Sequence, residues 1–136
     1  ASDVPPPRRA WPLLLLLLLA GCSAGGNSTG ITAGRLAYEA NCAECHGDAA
    51  TGEGVLPDTP VHGPEGHTWH HADGQLTEII LDTLNIPGST MPSFEGILTE
   101  AEVMGILDYL KTGWYQDQVE GQREVSANWE ELYPEK

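Results

Sequence analysis

The stretch Cys42-Ala43-Glu44-Cys45-His46 constrains this chain more than any other. Two thiols separated by two residues and followed at once by an imidazole have the spacing at which both sulfurs add to the vinyl groups of a haem while the next side chain ligates its iron. The rival readings of a C-x-x-C pair each lack something. A structural zinc site takes four ligands, usually with a second Cys or His pair at regular spacing, and no cysteine follows Cys45. A thioredoxin-like pair needs a βαβ setting and gains nothing from the histidine. A disulfide between cysteines this close in a helical stretch is awkward to bridge. The motif therefore predicts one covalent haem c, with His46 as an iron ligand.

Upstream, Arg8 and Arg9 precede a run of seven leucines, Leu13 to Leu19, which ends in Ala20-Gly21-Cys22. A basic start, a short apolar run and small residues at a cleavage point make residues 1–21 a predicted export signal. The apolar run falls well short of the ~20 residues a spanning helix needs. Leu19-Ala20-Gly21-Cys22 resembles a bacterial lipoprotein box, which implies cleavage before Cys22 and lipidation of its thiol. Stable anchoring then follows from two or more acyl chains. The twin arginines alone do not make a Tat signal, and haem c is attached to an unfolded exported chain. Residues 22–30, rich in Gly, Ser and Asn, form an expected flexible tether with a typical span of about 15 Å.

The net charge is −14, and removal of residues 1–21 takes away Asp3, Arg8 and Arg9, leaving a chain one unit more acidic. Such a surface repels nucleic acid and anionic headgroups and steers the protein toward basic surfaces on partners.

The body begins with a helix expected over 31–46, in which Gly34 and Tyr38 share a face and the glycine admits a close partner helix. Residues 47–72, rich in Gly, Pro, Asp and His, form a loop long enough to call for a function, such as wrapping one edge of a flat cofactor. A proline carbonyl there, Pro57 ahead of Pro60 and Pro64, is expected to accept the ring N–H of His46 and fix its orientation. Asp73 is placed as the cap of a second helix over 74–85 carrying Leu76, Ile79, Ile80 and Leu84 on one stripe. Met91 lies between Pro87 and Pro92 in a constrained loop, outside any helical stripe. Thr99-Glu100-Ala101-Glu102 is a capping box that opens a third helix ending near Thr112, with Val103, Ile106, Leu107 and Leu110 facing the core and Met104 packing on the flank. The acidic, aromatic tail over 113–136 either packs as a fourth helix through Val125, Trp129 and Leu132, the favoured reading, or presents an aromatic and acidic patch to a partner.

Taken in order, Gly34 and Tyr38, Cys42-Ala43-Glu44-Cys45-His46-Gly47, Met91-Pro92-Ser93-Phe94 and Asp108-Tyr109-Leu110-Lys111 resemble the class I (mitochondrial-type) cytochrome c superfamily in its small bacterial monohaem members. The resemblance covers residues 31–112. It implies an all-α fold of three to four helices around one covalent haem c, long loops, and first and last helices that cross with Gly34 and Tyr38 against Leu107, Tyr109 and Leu110. It also implies that Cys42 and Cys45 hold the thioethers, that His46 is the proximal ligand and that Met91 is the distal one. The segment from His62 to His71 departs from the simplest family members in its histidines. His67, His70 and His71 are there candidates for a distal ligand, a copper or zinc site, or loop surface. Trp69 is expected beside the haem with its N–H on a propionate.

A haem whose two axial positions are both filled by protein has no site for substrate, so its use is one-electron transfer rather than catalysis. The chain is therefore expected to be a non-enzymatic electron carrier on the periplasmic or extracytoplasmic face, lipid-anchored through Cys22, exchanging electrons with an oxidase, reaction centre or dehydrogenase that offers a basic docking surface. The alternatives are a haem enzyme or gas sensor with a labile distal ligand, and a copper-handling module using His67, His70 and His71. No phosphate-cradling glycine loop and no nucleophile with an oriented base occurs.

Overall fold

The computed structural model describes residues 26–49, 51, 54–81 and 86–134. The predicted signal segment, Cys22 and the beginning of the tether lie outside the described residues, as does the end of the expected second helix. Among the described residues there are five α-helices and no strand: α1 (Gly26–Asn41), α2 (Ala43–His46), α3 (Asp73–Ile80), α4 (Glu100–Lys111) and α5 (Gln116–Leu132), with a 3-10 turn at Thr68–His70. None of these helices is long and apolar enough to cross a membrane.

The crossing of α1 over α4 centres the core. Gly34 lies so close to α4 that a Cβ there would overlap the Gly105 carbonyl group and stand 2.9 Å from the Ile106 nitrogen. One turn further on, Tyr38 is 2% exposed; its ring meets Tyr109 at 5.8 Å and its hydroxyl donates to the Gly47 carbonyl at 3.0 Å. The expected crossing is present, with Gly105 as the residue that lets the backbones meet. On α4 the expected stripe Val103, Ile106, Leu107 and Leu110 is buried. Each such side chain contributes about 1.5–3 kcal/mol of burial. The capping box forms as its sequence specifies: Thr99 Oγ1 accepts from the Glu102 N–H at 3.3 Å, and the Glu102 carboxylate accepts from the Thr99 N–H at 2.8 Å.

Several boundaries differ from expectation. α1 starts at Gly26, so the last five residues of the expected tether are helical, and it ends at Asn41, where Cys42 separates it from α2. α3 is described from Asp73 to Ile80, and the Phe94 N–H donates to the Ile80 carbonyl at 3.1 Å. Asp73 is not the cap of α3. Ala72 holds that position, and Asp73 opens the helix with its carboxylate turned to Lys111 Nζ (2.6 Å) and Gln122 Nε2 (2.7 Å).

The tail folds back as α5, but through a different face. Val125 is 38% and Leu132 72% exposed, whereas Gln122 and Ser126 are buried, with Val119 and Trp129 half-buried beside them. The face at 119, 122, 126 and 129 wins because its polar groups find partners: Gln122 Nε2 donates to Asp73 and to the His71 carbonyl, and Ser126 Oγ accepts from the Asp73 N–H. Trp129 closes the seam over Gly74, where a Cβ would come within 2.6 Å of the indole nitrogen.

Candidate functional site

Cys42 stands at the joint between α1 and α2, and its carbonyl accepts from the Cys45 N–H (3.2 Å) and the His46 N–H (2.9 Å). This single turn carries both sulfurs and the imidazole. Both thiols are free and half-buried, so no disulfide ties them. Burial pushes the Cys42 thiol up to about 11, with the neighbouring Cys45 as a second cause.

His46 Nδ1 lies 2.8 Å from the Pro60 carbonyl. A carbonyl can only accept, so Nδ1 carries a proton, and in the neutral ring the lone pair is on Nε2. The acceptor is thus Pro60 and not the expected Pro57. Pro57 is instead the second residue of a turn in which the Thr59 N–H reaches the Leu56 carbonyl at 3.3 Å and Asp58 adopts a positive φ of 62°. Proline in second place followed by a positive φ is the signature of a type II turn. The turn uses Pro57 to reverse the chain, and the next proline carbonyl arrives at His46. The same loop is fastened to the motif by the Val55 and Leu56 N–H groups, both 3.3 Å from the Cys45 carbonyl. It leaves the Val55 and Leu56 side chains 62% and 50% exposed beside Cys45.

A histidine that the sequence did not single out completes this neighbourhood. His62 stacks on His46 with ring centroids 4.4 Å apart and 29° between planes, and meets Tyr38 edge-on at 6.1 Å. Its Nδ1 pairs with the hydroxyl of buried Thr68 at 2.8 Å, and its carbonyl accepts from Trp114 Nε1 at 2.7 Å. Burial, and then the neighbouring His46, lower its pKa to about 4, so the ring is neutral at physiological pH. The only sequence signal was its place in the histidine-rich loop.

In the rest of that loop, Trp69 differs from expectation. Trp69 packs against the core but gives its N–H to the Gly66 carbonyl at 3.0 Å, which a tight turn brings within reach, so that donor is spent inside the loop rather than on a propionate. Its ring stacks on His70 at 3.6 Å. His67 stands 5.9 Å from His71 and 6.4 Å from His70 between ring centroids, and His71 Nδ1 pairs with Gln75 Oε1 at 3.1 Å. Among the described residues, no group of three or more His, Cys, Asp or Glu could hold a metal ion.

Met91 is half-buried in the loop between α3 and α4, its N–H donating to Ser89 Oγ at 3.2 Å. That loop is anchored by the Phe94 bond to Ile80, and by the Ile97 and Leu98 N–H groups on the Phe94 carbonyl, both at 3.0 Å. Elsewhere, a groove of about 540 Å³ opens between α4 and α5, lined by Asp73, Asp108, Lys111, Gln122 and Arg123 among others. None of its lining residues belongs to the C-x-x-C-H stretch or to the 54–71 loop.

The family model described as cytochrome c oxidase, cbb3-type, subunit III matches residues 29–110. The chain belongs to this cytochrome c family. No curated protein and no solved structure matches it. A cytochrome c domain carries covalently bound haem c, and the residues present fit that group. Two free thiols lie on one turn, the adjacent imidazole keeps Nε2 free because Nδ1 is engaged, and exposed aliphatic side chains stand beside Cys45 where an apolar ring needs cover. The match ends at residue 110, so α5 and Trp114 lie beyond the part of this cytochrome that defines its family.

Proposed function

We propose that this cytochrome c is a membrane-tethered monohaem electron carrier, with Cys42 and Cys45 as thioether sites, His46 as proximal ligand and Met91 as distal ligand. The observation that carries the reading is the bond from His46 Nδ1 to the Pro60 carbonyl. It fixes the tautomer, aims the ring, and leaves Nε2 as the donor for iron beside two free thiols. The bound haem supplies a reversible one-electron couple, and His–Met ligation sets it at a higher potential than two nitrogen ligands would. The chain supplies the rest. Cys42 and Cys45 would hold the ring at the α1–α2 joint, the exposed Val55 and Leu56 beside Cys45 would offer it apolar cover, and the Pro60 carbonyl would keep His46 electron-rich. Met91 as distal ligand would leave the iron no open position for a substrate.

Cys22 and the residues that follow it would keep the domain close to the extracytoplasmic membrane face, where its strongly negative charge favours a partner with a basic docking surface. The family description names an oxidase subunit, which favours a terminal oxidase, or a subunit of one, as the partner among the redox proteins considered.

The test is carbon monoxide binding to the dithionite-reduced holoprotein, read from the Soret band, in wild type beside Met91→Ala. An inert wild type and a reactive variant are expected. A reactive wild type would overturn the closed-site reading in favour of an enzyme or sensor, and two inert proteins would move the distal ligand to a histidine of the 62–71 loop.

A further inference from the structure

Three side chains from the C-terminal segment, beyond the family match, hold three carbonyls of the long loop: Trp114 Nε1 on His62, Gln118 Nε2 on Pro64 and Gln122 Nε2 on His71, at 2.7, 2.9 and 3.2 Å. The first is the shortest, and Trp114 is buried, 7% exposed. Its acceptor residue is the one whose ring covers a face of His46, two residues after the carbonyl that takes the His46 N–H. The stacked ring is itself fixed by Thr68, also 7% exposed. His46 is thus restrained along its Nδ1–H direction by Pro60 and across its plane by His62, and both restraints come from a stretch of loop pinned from behind by Trp114.

We infer that His62, clamped through its carbonyl by Trp114 and through its ring by Thr68, is a positioning residue for His46, so that the C-terminal segment helps to set the electronic state of the haem's proximal ligand. The inference rests on His46 as proximal ligand. The chemistry is that of an outer partner on a ligating imidazole: an N–H firmly bonded to a carbonyl makes the ring a stronger donor and favours the oxidised metal, and a loosened bond does the reverse. A loop released at His62 lets the Pro60 carbonyl drift from Nδ1, which raises the reduction potential. No proton changes its residue; only the orientation and strength of one hydrogen bond change.

The experiment uses holoprotein carrying Trp114→Phe, which keeps an aromatic ring and deletes the donor, and separately Thr68→Val, which keeps the shape and deletes the hydroxyl. Two quantities are read: the midpoint potential, and the exchange of the His46 ring N–H followed by proton NMR. Both variants are expected to raise the potential and to speed that exchange about tenfold, the equivalent of one net hydrogen bond. Unchanged potential and exchange in both variants would overturn the inference, even if their unfolding midpoints fall, because a merely structural role lowers stability without touching the ligand. Should Trp114→Phe fail to fold, Thr68→Val decides alone. Failure of the underlying reading would look different: wild-type protein would carry no covalent haem, or His46→Ala would keep the absorption spectrum of wild type.

Discussion

Gly34→Ala adds one methyl group at the point where α1 and α4 touch. Its Cβ would overlap the carbonyl carbon and oxygen of Gly105 and lie 2.9 Å from the Ile106 nitrogen. All three are backbone atoms inside a helix, so no rotamer change relieves the clash, and the helices must part. Overpacking of this kind costs about 1–3 kcal/mol. Parting also loosens Tyr38, Ile106 and Leu107, each no more than 2% exposed. Losing about one methylene of burial at two of them adds roughly 1.6 kcal/mol. The better helix propensity of alanine returns up to about 1 kcal/mol. The net loss is about 3 kcal/mol, which at a urea slope near 2 kcal/mol/M lowers the unfolding midpoint by about 1.5 M. The reciprocal substitution behaves differently. A Cβ on Gly105 meets its nearest atom, the Gly34 Cα, at 3.5 Å, which is ordinary contact. Gly105→Ala should therefore hold or raise the midpoint by up to about 0.5 M. The assay is urea unfolding of the two holoproteins by circular dichroism. Equal midpoints for the two variants, or a Gly34→Ala loss under about 0.5 kcal/mol, would refute the asymmetric crossing.

Tyr38 predicts an alkaline limb of stability. Burial first, then the charges of Cys42, Tyr109 and Asp48, hold its phenol well above the ordinary value of 10. A raised folded-state value means that stability is intact below pH 10 and is lost as pH climbs beyond it, by about 1.4 kcal/mol per unit. Tyr38→Phe abolishes that slope but also the bond to the Gly47 carbonyl, about 1 kcal/mol at neutral pH. The two stability curves should cross near pH 11, as urea midpoints at pH 8, 10 and 11.5 will reveal; parallel curves would count against a buried neutral phenol. For the anchor, Cys22→Ser should move the haem-stained protein from the membrane pellet to the soluble fraction with its spectrum unchanged. Retention in the pellet would mean that something other than a lipid on Cys22 holds it there.

What could be read in advance, and what could not, divides by how local the determining physics is. The capping box and the stripe of α4 are contained within a dozen residues, so a sequence displays them entirely. The C-x-x-C-H stretch is equally local, because thioether chemistry itself demands the spacing. Pro60 was harder. Three prolines stand near one another, and the choice among them rests on a positive φ at Asp58, a conformation that side chain tolerates without advertising it. Gly105 carries no sequence signal, because a glycine on a helix flank has no meaning until its partner helix is placed against Gly34.

The face of α5 shows why a hydropathy pattern misleads here. Gln122 is 2% exposed, although the stripe through Val125, Trp129 and Leu132 would put it outside and Val125 inside. What buries it is a need on the other side of the interface. Asp73 and Lys111 form a largely shielded ion pair with 16% and 18% of their side chains exposed. That pair leaves one carboxylate oxygen of Asp73 to be satisfied, next to the His71 carbonyl. A primary amide offers two donors on one nitrogen, and Gln122 places them on these two acceptors, 49 and 51 residues away in sequence. Ser126 then accepts the Asp73 N–H that a helix start leaves over. An apolar side chain at 122 would bury more hydrocarbon yet strand a carboxylate oxygen and a carbonyl, each a penalty of about 1–3 kcal/mol, so a polar face outcompetes the valine face. The register that follows is the one that turns Gln118 toward the Pro64 carbonyl and leaves Trp114, just before α5, on His62. The choice of face in a helix outside the family match therefore decides which loop carbonyls are held behind His46.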